Sequence, residues 1–117
     1  MQAPQLNFTP KGLYIGGKWV DAAAGKTFES VNPSTREKLG DVPSADQRDV
    51  DRAVKAAKIA FAEWSRVPVR ERARALERLA ARINEHAQEL ALMDSLDSGN
   101  AITGMRGDMT WTADSLN

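Results

Sequence analysis

The sequence predicts an α+β chain, a small antiparallel hairpin or meander followed by two to three helices. Two observations carry this. Before Ser44, short β-prone runs are separated by glycine and proline turns. After Ser44, apolar residues recur at helical spacing. The expected layout is an N-terminal arm over 1–11, an antiparallel β segment over 12–43 and a helical segment over 44–117, all in one domain.

The β segment opens with Leu13-Tyr14-Ile15 and Lys18-Trp19-Val20 around Gly16-Gly17. Two β-prone runs joined by Gly-Gly read as a tight hairpin, because glycine reaches positive φ without steric cost. Asp21 to Gly25 is a second reversal. Thr27 to Val31 alternates with period two and reads as a third strand, and Asn32-Pro33 ends it, since proline offers no N–H to a ladder. Lys38 to Val42 reads as a fourth short strand closed by Pro43.

In the helical segment, Val50, Ala53, Val54, Ala57, Phe61 and Trp64 form one stripe. Ser44 with Gln47 fits a capping box, and Asp46 competes as N-cap. Asp49 and Asp51 lie early in the helix, where carboxylates suit its dipole. Residues 65–68 end it. A second helical stretch runs from about Pro68 to Leu96, with Ala73, Leu76, Leu79, Ala80, Ile83, Ala87 and Leu90 as its stripe. Its register blurs after Leu90, which places a kink or break near His86. Asp97 to Asn100 reads as a turn. Ile102, Met105, Met109, Ala113 and Leu116 predict a further helix, weakened by Gly104 and Gly107. That stripe reaches Leu116 with no glycine cap, basic last turn or closing proline, which reads as a truncation unless Asn117 is itself a cap. Trp19, Trp64 and Trp111 fall one per segment, and the simple expectation is that all three pack one interior. The alternative is that Met105, Met109 and Trp111 mark a surface for another part of a larger protein.

Composition narrows the function classes. The chain has 117 residues, with Lys plus Arg and Asp plus Glu at 16 each. Zero net charge gives no field to steer nucleic acid or an anionic membrane to the surface. Arginines between Arg66 and Arg82 are interrupted by Glu71 and Glu77 and have no interleaved aromatics, which argues against nucleic-acid binding. The second helical stretch is basic first (Arg70, Arg72, Arg74, Arg78, Arg82) and acidic later (Glu85, Glu89, Asp94). This opposes the macrodipole at about 0.3–1 kcal/mol per terminal charge. A solvated face with pairs such as Arg74/Glu77 and Arg82/Glu85 accounts for it. No apolar run approaches a membrane span, and the first eleven residues lack the apolar core of an export signal. With no cysteine, neither a disulfide nor a thiolate site exists, and the cytoplasm is the default compartment.

Little chemistry is visible. His86 is the one histidine, and no zinc, EF-hand or phosphate-loop pattern occurs. One constellation stands out. Ser30 and Val31 end a strand before Asn-Pro, leaving their carbonyls outside ladder bonds, and Asp97 sits in a turn after a long helix. Two carbonyls and a carboxylate make an oxygen-only set suited to a hard cation.

Four blocks then carry a resemblance: LYIGGKWVDAAAGKTFESVNPST, DVDRAVKAAKIAFAEW, RERARALERLAARI and ELALMDSLDSGN. Together they resemble the N-terminal segment of the aldehyde dehydrogenase superfamily, in the family's order, over most of 13–100. The resemblance implies the first, partial stretch of an NAD(P)-binding domain within an α/β fold. The family oxidises aldehydes to carboxylic acids through a cysteine thioester and hydride transfer to NAD or NADP. The catalytic cysteine, the general-base glutamate and the glycine-rich cofactor loop come later in that family. No catalytic or cofactor-binding residue is therefore carried over, and the chain is expected to be inactive alone and to bind no NAD or NADP by itself. What carries over is part of a monovalent-cation (Na+ or K+) site: Ser30, Val31 and Asp97, with a further ligand from downstream. The implied partners are the remainder of the subunit and further copies in a homo-oligomer, not nucleic acid or membrane. The alternative is a non-enzymatic helical module that self-associates or binds a partner.

Overall fold

The structure is a computed structural model and describes residues 12–116; the expected arm over 1–11 lies outside the described residues. The element order is β1 (Leu13–Ile15), β2 (Lys18–Val20), β3 (Thr27–Val31), β4 (Lys38–Pro43), α1 (Gln47–Trp64), α2 (Val69–Glu85), α3 (Ala87–Ser98) and α4 (Ile102–Asp114). The α+β expectation holds. Within the described residues the chain divides into two compact units, one of 12–30 and 38–67, the other of 31–37 and 68–116.

In the first unit, β1 and β2 pair antiparallel with Tyr14 opposite Trp19. Gly16 and Gly17 have φ of 61° and 79°, the double positive φ that a two-residue turn of this hand requires. The rings of Tyr14 and Trp19 lie 5.0 Å apart at 59°. β3 and β4 form a second, separate antiparallel sheet. The expected meander is therefore two hairpins, with no β2–β3 ladder. The reason is local. The reversal after β2 closes on itself through Gly25 N–H to the Ala22 carbonyl (2.8 Å), and Ala23 N–H donates to Asp49 on α1 instead of to a strand. The chain between the two hairpins is committed to the helix.

α1 begins two residues later than a Ser44 cap requires. Ser44 N–H still donates to the Lys26 carbonyl (2.8 Å), which extends the β3–β4 pairing. Asp46 is the N-cap, and the capping box is Asp46 with Asp49. The alanine side of α1 faces β1: a Cβ added at Gly16 stands 3.7 Å from the Ala56 Cβ.

In the second unit, α4 packs on both α2 and α3. The positions buried at these crossings are Ala80, Ala91 and Ala113, small side chains that let helix axes approach closely. Half-buried Ile83, Leu90, Ile102, Met105, Met109 and Leu116 surround them. The break expected near His86 is present: His86 ends α2 and precedes α3, with φ −104° and ψ 11°. α3 stops at Gly99, whose φ of 77° is the left-handed cap conformation. Gly99 lies against the Pro33 ring, where an added Cβ comes within 2.9 Å of Cγ. The loop over 32–37 is organised by buried Asn32, whose Oδ1 accepts from Ser34 N–H (2.9 Å) and Thr35 N–H (3.3 Å). Its own N–H donates to the Glu37 carbonyl at 2.9 Å.

The three tryptophans do not share an interior: Trp19 is 52% exposed, Trp64 43% and Trp111 73%. The α1 stripe is uncovered as well, with Val50, Val54 and Phe61 all exposed. On α4, Met105 and Met109 face inward with Ile102, while Trp111 points away. Periodicity identified the helices; it did not reveal that the α1 stripe stays exposed among the described residues.

Candidate functional site

The residues expected to hold a cation come from two places. Ser30 and Val31 are the last two residues of β3, with Ser30 half-buried and Val31 exposed. Asp97 lies inside the last turn of α3, not in the turn that follows it. α3 continues to Ser98 because Gly99 supplies the left-handed cap, so the turn begins two residues later than the sequence suggests. In the second unit, the loop following Val31 meets the cap following Asp97 through the Pro33–Gly99 contact. Ser30 belongs to the first unit and Val31 and Asp97 to the second; the expected donors, two main-chain carbonyls and a carboxylate, are all oxygen, and Asp97 lies at the partly negative end of α3. That chemistry fits a hard monovalent cation. Among the described residues, no group of three or more His, Cys, Asp or Glu is arranged to hold a metal.

A tightly held polar group among the described residues is Asp49, which the sequence marks only as an early helix carboxylate. Asp49 is 1% exposed. Its oxygens accept from Ala23 N–H at 3.0 and 3.1 Å, from Asp46 N–H at 3.2 Å and from Arg52 Nη1 at 3.3 Å. The spacing Asp46-x-x-Asp49 was the available signal, since the third helical residue of a capping box reaches back to the cap. Beside it, Arg48 forks onto the Asp46 carboxylate at 2.7 and 3.1 Å. This hydrogen-bonded pairing holds the Asp46 carboxyl below the usual carboxylate range and raises the Arg48 guanidinium. Lys38 reaches both Asp41 (2.9 Å) and Glu29 (3.1 Å), and these hydrogen bonds raise its ammonium pKa. The two clusters are largely exposed ion pairs at strand and helix ends.

Two concave surfaces line α1. One, about 290 Å³, lies between the Gly16-Gly17 turn and Ala53, Ala56, Ala57 and Ala60. The other, about 620 Å³, is floored by Val50, Val54 and Ile59 and edged by Lys55 and Lys58. Both are open and apolar, and neither gathers a nucleophile with a base. On α2, Arg82 pairs with Glu85, as the spacing suggested, and His86 Nδ1 lies 3.3 Å from Glu89. No helix among the described residues is long and apolar enough to cross a membrane.

Comparison with known proteins places the chain in a family. The model of the aldehyde dehydrogenase family matches residues 19–117. Aminoaldehyde dehydrogenase 2 of Zea mays is 40% identical over 92% of this chain and 22% of its own length. Hydroxyisobutyraldehyde dehydrogenase of Mycolicibacterium austroafricanum is 42% identical over 84% of this chain and 19% of its own. Among solved structures, HpcC from Thermus thermophilus superposes with a TM-score of 0.90 at 40% identity, covering 95% of this chain and 22% of that one. An NAD-dependent aldehyde dehydrogenase from Sinorhizobium meliloti superposes at 0.89 and 37% identity, covering 97% and 23%. The chain thus spans about a fifth of the length of these relatives. The chain belongs to the aldehyde dehydrogenase family.

Proposed function

We propose that this chain is the N-terminal segment of an NAD(P)-dependent aldehyde dehydrogenase, and that it contributes framework and part of a cation site while the remainder of the subunit supplies the chemistry. The parent enzyme oxidises an aldehyde to a carboxylic acid with NAD or NADP. The observation that carries this reading is the uncovered apolar stripe of α1, with Val50, Val54, Phe61 and Trp64 exposed in a chain whose match covers only 22% of the relative's length. Faces of this kind on a family segment suit burial against another part of the same protein. The absence of any cysteine removes the nucleophile this family uses, so the segment alone carries no oxidising activity.

In this reading Ser30, Val31 and Asp97 contribute oxygen ligands to Na+ or K+ in the intact subunit. Asp97→Ala in the intact enzyme then abolishes the difference in melting temperature between K+ and a bulky organic cation. An unchanged difference removes Asp97 from the site.

The segment reading is tested in trans. The Thermus thermophilus relative, deleted for its matching segment, is co-expressed with this chain. Co-purification of the two supports the reading, and Phe61→Asp is expected to abolish it. Separate elution of two folded polypeptides would sink it. The exposed faces also favour a second reading, a non-enzymatic module that self-associates. Light scattering across a concentration series distinguishes it, because a monomer at all concentrations leaves only the first.

A further inference from the structure

We propose that Asp49 is a latch that holds residues 21–25, and with them the β1–β2 hairpin, onto the N-terminus of α1. A carboxylate 1% exposed is costly to bury unless its oxygens are satisfied. Here both oxygens are used, and the donors come from two separate stretches of chain. Ala23 N–H, 26 residues away in sequence, donates to both. Asp46 N–H and Arg52 Nη1 donate from the first turns of α1. The helix N-terminus adds its partial positive charge.

The rest of the described contact between the hairpin and α1 is made by Tyr14, Ile15 and the Gly16-Gly17 turn against small side chains. Gly16 stands over Ala56, and the facing residues of the helix are Ala53, Ala56, Ala57 and Ala60. Glycine on alanine buries little apolar area, and apolar burial scales with area. Tyr14 and Trp19, the large side chains of the hairpin, are exposed and stack on each other. The carboxylate, through the Ala23 N–H, is the polar tie between this stretch and α1, beside the packing of Ile15 and the glycine turn on the alanine face.

The consequence is an opening confined to one place. Asparagine at this position keeps one acceptor oxygen and turns an NH₂ toward the N–H donors. α1 retains its Asp46 cap on Arg48 N–H, at 2.9 Å, so its helix persists. The test is native-state amide exchange with circular dichroism on the 117-residue chain and its Asp49→Asn and Asp51→Asn variants. Asp51 is exposed and carries the same charge, so its variant controls for charge alone. The expected result is protection at the Ala23 amide in the unsubstituted chain and in Asp51→Asn. In Asp49→Asn, exchange at Ala23 and across the β1–β2 ladder is faster on the order of 10- to 100-fold, with the helical signal kept. Three results each overturn the proposal: an unprotected Ala23 amide in the unsubstituted chain, unchanged exchange in Asp49→Asn, or loss of the whole helical signal in that variant.

Discussion

Asp46 performs two tasks with one carboxylate, capping α1 through Arg48 N–H and pairing with the Arg48 guanidinium. The pairing depresses its folded pKa, and a depressed acid stabilises the fold at pH above its unfolded value. That contribution is present above about pH 4 and is lost as pH falls through the folded value. Asp46→Asn keeps a cap but removes the ion pair. Thermal melts of the two proteins should differ at neutral pH and converge in acid; a gap that persists at about pH 2 contradicts this assignment. Gly99 is a second residue whose identity is dictated locally. Any side chain there meets both a left-handed φ of 77° and the Pro33 ring. Gly99→Ala should lower stability by about 1–3 kcal/mol, read from the urea midpoint at unchanged slope. The glycine signal was legible in the sequence as a stop after the helix. Its contact with Pro33, far earlier in the chain, was not, because no local pattern encodes a long-range approach. Asp49 is similar: its capping role was available from spacing, but its tie to Ala23 was visible only in three dimensions.

At the scale of elements, the hairpin turn, the break at His86 and the inward stripe of α4 followed from local rules that tertiary packing did not override. β2 and β3 lie in separate sheets, and the connection between them is tied to Asp49 on α1 through the Ala23 N–H. The apolar stripe of α1 was correctly read as a face, but periodicity says only that a face exists, not which chain covers it. The helices split accordingly. Side chains at the helix crossings of the second unit are alanines with no room to grow, whereas Phe61 is 65% exposed and fills nothing. Ala91→Leu should cost about 1–3 kcal/mol by overpacking. Phe61→Ala should change the stability of the isolated chain by under ~0.5 kcal/mol. A large loss from Phe61→Ala alone would show that the stripe is already covered within these 117 residues. The candidate cation ligands divide in the same way. Ser30 and Val31 were placed correctly at a strand end, and Asp97 was misplaced by the two residues that the Gly99 cap adds to α3.

For the whole molecule, the family was legible because four blocks retain its order, and the fold agrees with solved relatives at a TM-score of 0.90. The function of the chain itself is a different question from that of its family. It carries balanced charge, no cysteine and one histidine, while its large apolar side chains stand at the surface. These properties agree with the proposal that the chain is one part of a longer subunit; the matched stretch is 22% of the length of the Zea mays relative. The most direct measurement is aldehyde-dependent reduction of NAD+ and NADP+ by the purified 117-residue chain, free of any longer product. No nicotinamide reduction is expected at any chain concentration. Reduction that requires aldehyde and scales with the purified chain would contradict it.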